Sequence, residues 1–552
     1  MALAVEQPTT TPEQPPRFAD VDLVGTDRAM LDALRAYGAD ALVDETRAFG
    51  RVAGSTALLD AGFAANEHPP QLVPYDRGGA RTDAIALHPG WHEVLGAAVR
   101  AGVSGAAWTD ERPGAHVARA AGFIAINQAE AGVGCPLAMT HSSVPALRLE
   151  PSVAAVWEPL VTSGSYDPRP IGPQDKTGAL VGMALTERSG GSDVRRSTTV
   201  AVPLEDGTWR VTGEKWFVSA IQSDAMFVLA QTADGLSTLL VPCRNPDGSR
   251  NGMRVDRLKD KLGNRSNPTA EVTFDGAVGH LVGEQGRGVR AIMAMIQGTR
   301  LDCILGSAAV MRVGTTEAIH WSRHRIAFGR RLVVQPAMTA VLADLALESE
   351  AAMWSGLRLA RAVEDQAAGD THAAAFRRLA LPTLKYWVCK RAPAQLGEAL
   401  ECLGGYGYTE ESRVARAYRE APLMSVWEGS GNVQALDVLR ALQTDPGCAE
   451  AVMDELDGAR GANRRLDAEA DALRADLAGG AAGIGEARAR EVTGRVARAI
   501  QAAQMVRHAP DFVADAFCAT RLDGSAGGGV FGALPTGLDV EAIVSRATGT
   551  ED

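Results

Sequence analysis

The segment Val426-Trp427-Glu428-Gly429-Ser430-Gly431-Asn432 sets one carboxylate between a tryptophan and a glycine-rich turn. A helical run of apolar residues follows (Val433, Leu436, Val438, Leu439, Leu442), which puts Glu428 at the mouth of a helix, where backbone N–H groups attract anions. Three roles suit that position: a cap, a clamp or a general base. Capping is the ordinary one.

Other stretches carry chemistry-bearing residues. "MALTERSGGSDV" (183–194) gathers Thr186, two adjacent glycines and Ser192, and can offer hydroxyls and N–H groups to an anion, although an Asp/Ser-rich turn has the same composition. "GEKWFVSA" (213–220) places Phe217, Val218 and Ser219 on a strand, as a wall for a flat heteroaromatic ring or as ordinary sheet alternation. Arg325, Phe328 and Gly329 follow a helix and suit a phosphate beside a ring; a solvated basic helix end is the plainer reading. Gly404 and Gly405, in "LGGYGY", join two helices as a C-cap would.

The elements that position these residues fall into blocks. At 552 residues the chain exceeds what one core organises, so several packed units are expected. Residues 1–19 read as an extended Pro/Thr-rich arm, 20–180 as a helical domain interrupted by a Pro/Gly loop at 68–83, and 181–285 as a compact antiparallel β domain with hairpin turns. Residues 286–444 read as long helices. Residues 445–552 read as an added helical domain with a hinge at 479–485. The class is α+β, mostly α, with segregated rather than alternating elements.

Composition excludes several classes. Apolar residues make up 46% and charged ones 22%, an ordinary globular balance. No apolar run approaches the ~18 residues of a membrane span, and the N-terminus lacks a secretory pattern, so a cytoplasmic protein without a membrane partner is expected. Seven scattered cysteines without a C-x-x-C pair predict reduced core thiols and no metal site. A net charge of −12 gives no general pull toward nucleic acid.

Taken together and in this order, the motifs resemble the acyl-CoA dehydrogenase superfamily: a helical domain, a β domain opened by an M-x-x-T-E-x-x-G-S-D type turn and a G-x-K-x-x-x-S strand, then a four-helix bundle bearing R-x-x-F-G, L-G-G-x-G-Y and an E-G turn. "LKDKLGNRSN" (258–267), "TRLDCILGS" (299–307), "NEHPPQLVPYD" (66–76) and the stretch 418–440 are similar to the isovaleryl-CoA-dehydrogenase-like, adaptive alkylation-response (AidB) type. The resemblance implies FAD as cofactor. It implies contacts from Met183, Thr186, Ser192, Phe217, Val218 and Ser219, and a closing segment that includes Gly429 and Asn432. It also implies that Arg325, Phe328, Gln335, Gly404 and Gly405 serve the adenine-dinucleotide half bound in a neighbouring subunit, hence a homotetramer built as a dimer of dimers. Glu428 matches the family's base for α,β-dehydrogenation of an acyl-CoA, here a short or branched one, with an acceptor such as electron-transfer flavoprotein taking the electrons. Some isovaleryl-type members carry the base just before an Arg of the first bundle helix; here that place is Thr299, before Arg300.

The alkylation-response type also implies DNA binding through a basic C-terminal domain. Residues 445–552 depart from it, with eleven Arg, no Lys and eighteen Asp or Glu. Arg488, Arg495 and Arg498 share a helical face with Glu491, and a salt-bridged solvent face is the favoured reading over a phosphate-binding stripe.

Overall fold

Amphipathic helices with good caps open the chain. In the computed structural model, which describes residues 14–445, 447–523 and 529–549, Asp27 caps helix Arg28–Ala36 through the Met30 amide at 3.1 Å and Ser55 caps Thr56–Glu67 through the Leu58 amide. Most of the expected Pro/Thr-rich arm lies outside the described residues; Phe18, at its end, packs on His320. Helices Ala115–Ala129 and Gly134–Leu147 are buried on nearly all faces and lie against the first long helix of the bundle. The buried Arg119–Asp302 ion pair ties the two blocks.

One segment departs from expectation. The stretch read as a loop at 68–83 holds a β-hairpin, Gln71–Tyr75 against Arg81–Ala86. The Asp76 carboxylate closes its turn by accepting from the Gly78 and Ala80 amides at 2.8 and 2.9 Å, and Leu72 and Ile85 pack on the β domain.

The β domain spans strands Val181–Ala184 to Thr269–Leu281. Hairpin chemistry gives mostly antiparallel pairs, and the ladder closes on itself: Val200–Pro203, Trp209–Ser219, Thr269–Leu281, Gly235–Pro242 and Ala225–Thr232 pair in a ring that returns to Val200. The first strand is an exception, running parallel to Ala225–Thr232, as the long excursion between them permits.

Four long helices follow, Gly288–His324, Pro336–Ala367, Thr371–Cys402 and Arg413–Val426, and after the Glu428 turn comes Gly431–Thr444. The C-terminal helices pack on this bundle. Their longest, Gly480–His508, is broken at Gly485 (φ 67°), where the hinge was expected. The last, Val540–Thr548, returns to the N-terminal block through Arg546, which bonds Asp32 at 2.8 Å and Glu350 at 3.0 Å. All seven cysteines are free and buried, and no described helix is long and apolar enough to cross a membrane.

Candidate active site

The turn that carries Glu428 is held by its backbone. Glu428 itself sits at φ +57°, a strained value for a residue with a side chain, and Gly429 at +101°. Ser430, not Glu428, takes the N-cap position of the following helix. Lys385, buried in the third bundle helix, donates to the carbonyls of Trp427 and Gly429, both at 2.6 Å, and so brackets Glu428. Arg300 donates to the Glu428 carbonyl at 3.1 Å and Gln434 to the same oxygen at 2.8 Å. Arg300 is in turn fixed by Asp437 at 2.6 Å, which also pairs with Arg378 at 3.0 Å. Burial opposes a charge on Asp437, but these two guanidiniums hold its carboxyl below the usual range.

Glu428 is half-buried. Burial pushes its carboxyl above the ordinary carboxylate range, against the opposing pull of Arg300, the Thr299 hydroxyl and Lys385. Thr299 therefore lies beside Glu428: the two places where the resemblance puts a base converge on one point. The thiols of Cys135 and Cys303, raised chiefly by burial, are pushed further by the same carboxylate. Trp427 and Ile296 pack on the apolar cluster that contains Met183, Ala220 and Met295, so the β-domain wall faces the Glu428 turn.

On that wall, Met183 is buried in its strand and the Thr186 hydroxyl crowds the Gly191 backbone, where a Cβ would come within 2.8 Å of it. Ser192 is exposed. Strand alternation splits the next three residues: Phe217 is 52% exposed, Val218 points into the barrel core and offers a ligand only its backbone, and Ser219 Oγ meets Thr269 Oγ1 at 3.1 Å. Asn432 is exposed, and its side-chain oxygen accepts from Arg490 of the C-terminal block at 2.8 Å.

The remaining expected residues form a separate group. Trp321 stacks on Tyr406 at 4.9 Å, joining the root of the Ile326–Arg331 hairpin to the Gly404-Gly405 turn. Phe328 caps that hairpin, 95% exposed at φ +54°, and Gln335 donates to the Ala327 carbonyl at 3.0 Å. A Cβ on Gly404 or Gly405 would meet nothing within 4 Å. From Thr299 to the end of the same helix at His324 the rise is roughly 37 Å, so this group stands far from Glu428.

Sequence reasoning missed the residues that hold the site. Glu187 and Lys215, inside the recognised motifs, form a buried ion pair at 2.8 Å, and Glu187 also accepts from Thr198 and Thr199. Lys385 and Gln434 carry no spacing signal, because a side chain reaching a carbonyl in a distant turn leaves none. In the C-terminal block, Arg495 is tied to Asp476 at 2.6 Å, Glu469 at 2.8 Å and Glu491 at 3.3 Å, and Arg488 to Asp476 and Glu491. Arg498 lies over Trp387. Among the described residues no group of His, Cys, Asp or Glu could hold a metal ion.

Family profiles cover most of this architecture: the adaptive response protein AidB N-terminal domain over residues 13–168, the acyl-CoA dehydrogenase middle domain over 182–277 and the acyl-CoA dehydrogenase C-terminal domain over 286–443. AidB of Escherichia coli (strain K12) is 41% identical over 519 residues, 94% of this chain and 95% of that one. The chain belongs to the acyl-CoA dehydrogenase family. The solved structure of Caenorhabditis elegans ACDH-11 in complex with C11-CoA matches with a TM-score of 0.82 at 26% identity, covering all of this chain and 94% of that one. Butyryl-CoA dehydrogenase from Megasphaera elsdenii shares the fold at 22% identity and a TM-score of 0.52; 70% of this chain spans 97% of it.

FAD is the cofactor of this family. The residues present fit such a group. Both amide atoms of Gln222 and the hydroxyls of Ser142 and Ser223 are buried without protein partners; Gln222 and Ser223 follow the Ser219 strand, and Ser142 lies against Gly298, next to Thr299. Buried polar atoms rarely stay unpaired, so these are available to a polar ligand.

Proposed function

We propose that this acyl-CoA dehydrogenase family member carries out the α,β-dehydrogenation of a short or branched acyl-CoA, with Glu428 as the base. Bound FAD would accept the hydride that leaves the β-carbon. Glu428 takes the α-proton as the C=C bond forms, and a carboxyl raised by burial is a better match to that weakly acidic proton than a solvated one. Lys385, Arg300 and Gln434 keep the turn from relaxing out of its strained conformation. Met183, Thr186, Ser192, Phe217 and Ser219 would hold the ring and adjacent phosphates from the β side, with Gly429 and Asn432 closing the other. Arg325, Phe328, Gln335, Gly404 and Gly405 would serve a cofactor in a neighbouring copy, within a homotetramer that passes electrons to a protein acceptor such as electron-transfer flavoprotein. The wide separation of that group from Glu428 supports the two-copy arrangement.

The observation that carries the proposal is the convergence of Glu428 and Thr299 beside the β-domain wall, with the Glu428 backbone clamped from three sides. Anaerobic mixing of the flavin-loaded protein with a panel of acyl-CoA thioesters, monitored by flavin absorbance, tests it. Bleaching by one thioester that is lost in Glu428→Gln is the expected result; no bleaching by any, with the flavin still reducible by dithionite, overturns it.

A further inference from the structure

The C-terminal block reaches the same turn from outside. Gly431, two residues past Gly429, packs so tightly on Lys390 that a Cβ would fall 2.2 Å from its Cε, and that Cβ would lie 3.5 Å from the Tyr386 ring. On the other side of this ring stands Gly494 of the Gly480–His508 helix, where a Cβ would lie 3.9 Å from Tyr386 and 3.5 Å from Trp387. Arg490, one turn earlier on that helix, lies over the Tyr386 ring at 5.6 Å and donates to Asn432 at 2.8 Å. Tyr386 is thus a wall shared by the turn and the C-terminal block, and its neighbour Lys385 brackets Glu428 from within.

We infer that Arg490 is a positioning residue through which the C-terminal block fixes the Glu428 turn. The Arg490–Asn432 bond adds a hold from the C-terminal block to the bonds that Lys385, Arg300 and Gln434 make to the turn. Here, a displacement of the block changes where the carboxyl sits. A small misplacement of a reacting group is costly in rate even when binding is unaffected.

This inference rests on Glu428 as the base for its kinetic consequence, but not for its structural one, and the experiment separates the two. Arg490→Ala, Arg490→Lys and, as a control elsewhere on the same block, Arg460→Ala are made in the full-length protein with flavin bound. Amide hydrogen exchange over residues 427–433 is expected to rise several-fold in Arg490→Ala and to stay at the wild-type level in Arg490→Lys and Arg460→Ala, at unchanged global stability. With a reactive thioester, the limiting rate of flavin reduction in Arg490→Ala falls roughly tenfold while the half-saturating concentration shifts less than twofold. Unchanged exchange in Arg490→Ala overturns the coupling. Increased exchange in a protein whose wild type reduces its flavin with no thioester leaves the coupling standing and removes the dehydrogenase reading instead.

Discussion

A carboxylate that removes an α-proton near neutral pH works only while it is deprotonated, yet its strength as a base grows as its pKa rises. As the proposed base, Glu428 would meet both demands through opposed effects: burial raises it, while Arg300, Thr299 and Lys385 keep the rise from going further. The rate of flavin reduction by a thioester is therefore expected to fall as pH drops through a midpoint above the ordinary carboxylate value, and Thr299→Val, which removes one of the restraining groups, moves that midpoint higher still. Stopped-flow reduction followed across pH in both proteins checks the order. A wild-type midpoint at the value of a solvated carboxylate, or a downward shift in Thr299→Val, would contradict it.

The elements hold the site by pinning turns to strands, and the Glu187–Lys215 pair does this for the 183–194 turn. Burial disfavours the Glu187 charge, but Lys215 and the Thr198 amide bring its carboxyl down to about 2. The pair's contribution is thus present above the ordinary carboxylate pKa and lost as pH falls toward 2. Lys215→Met leaves that carboxylate buried without its cation and is expected to cost about 3–5 kcal/mol at neutral pH in urea unfolding, with the gap to wild type narrowing in acid. Much of this level was legible in the sequence. The long helices read over 286–444 and the hairpin turns of the β domain report local structure that tertiary contacts did not override. The hairpin at 71–86 was not legible, because Pro74 and the glycines of its turn mask a strand pattern and its apolar residues gain meaning only against the β domain. Glu428 became a candidate base through its motif. The alternation that turns Val218 inward, and the lysine and glutamine that grip the 427–429 carbonyls, depend on which elements meet and are absent from any local pattern.

At the scale of the whole molecule, charge and exposed surface point in different directions. The chain carries a net charge of −12, and on the C-terminal helical face Arg488 and Arg495 are paired with Glu469, Asp476 and Glu491. Arg495→Ala is accordingly expected to lower the thermal stability of the protein and to leave its affinity for duplex DNA, measured across a salt series, unchanged; a loss of affinity with a shallower salt slope would revive a phosphate-binding role. The exposed surface points to self-association. Ile326, Phe328, Val334 and Tyr408 are 62%, 95%, 56% and 82% exposed, on or beside a hairpin whose tip holds Phe328 in a left-handed conformation, next to glycines that face open space. An isolated protomer gains nothing from a strained, fully solvated aromatic, whereas a neighbouring copy that covers it recovers its burial, of order 2–3 kcal/mol for one phenylalanine. Phe328→Asp should therefore split the assembly seen by light scattering and lower FAD retention on gel filtration, while the protomer's secondary structure stays intact because so little of the side chain is packed within it. An assembly and a flavin content both equal to wild type would mean that this hairpin meets no partner, and that a cofactor bound at Glu428 draws on one chain alone.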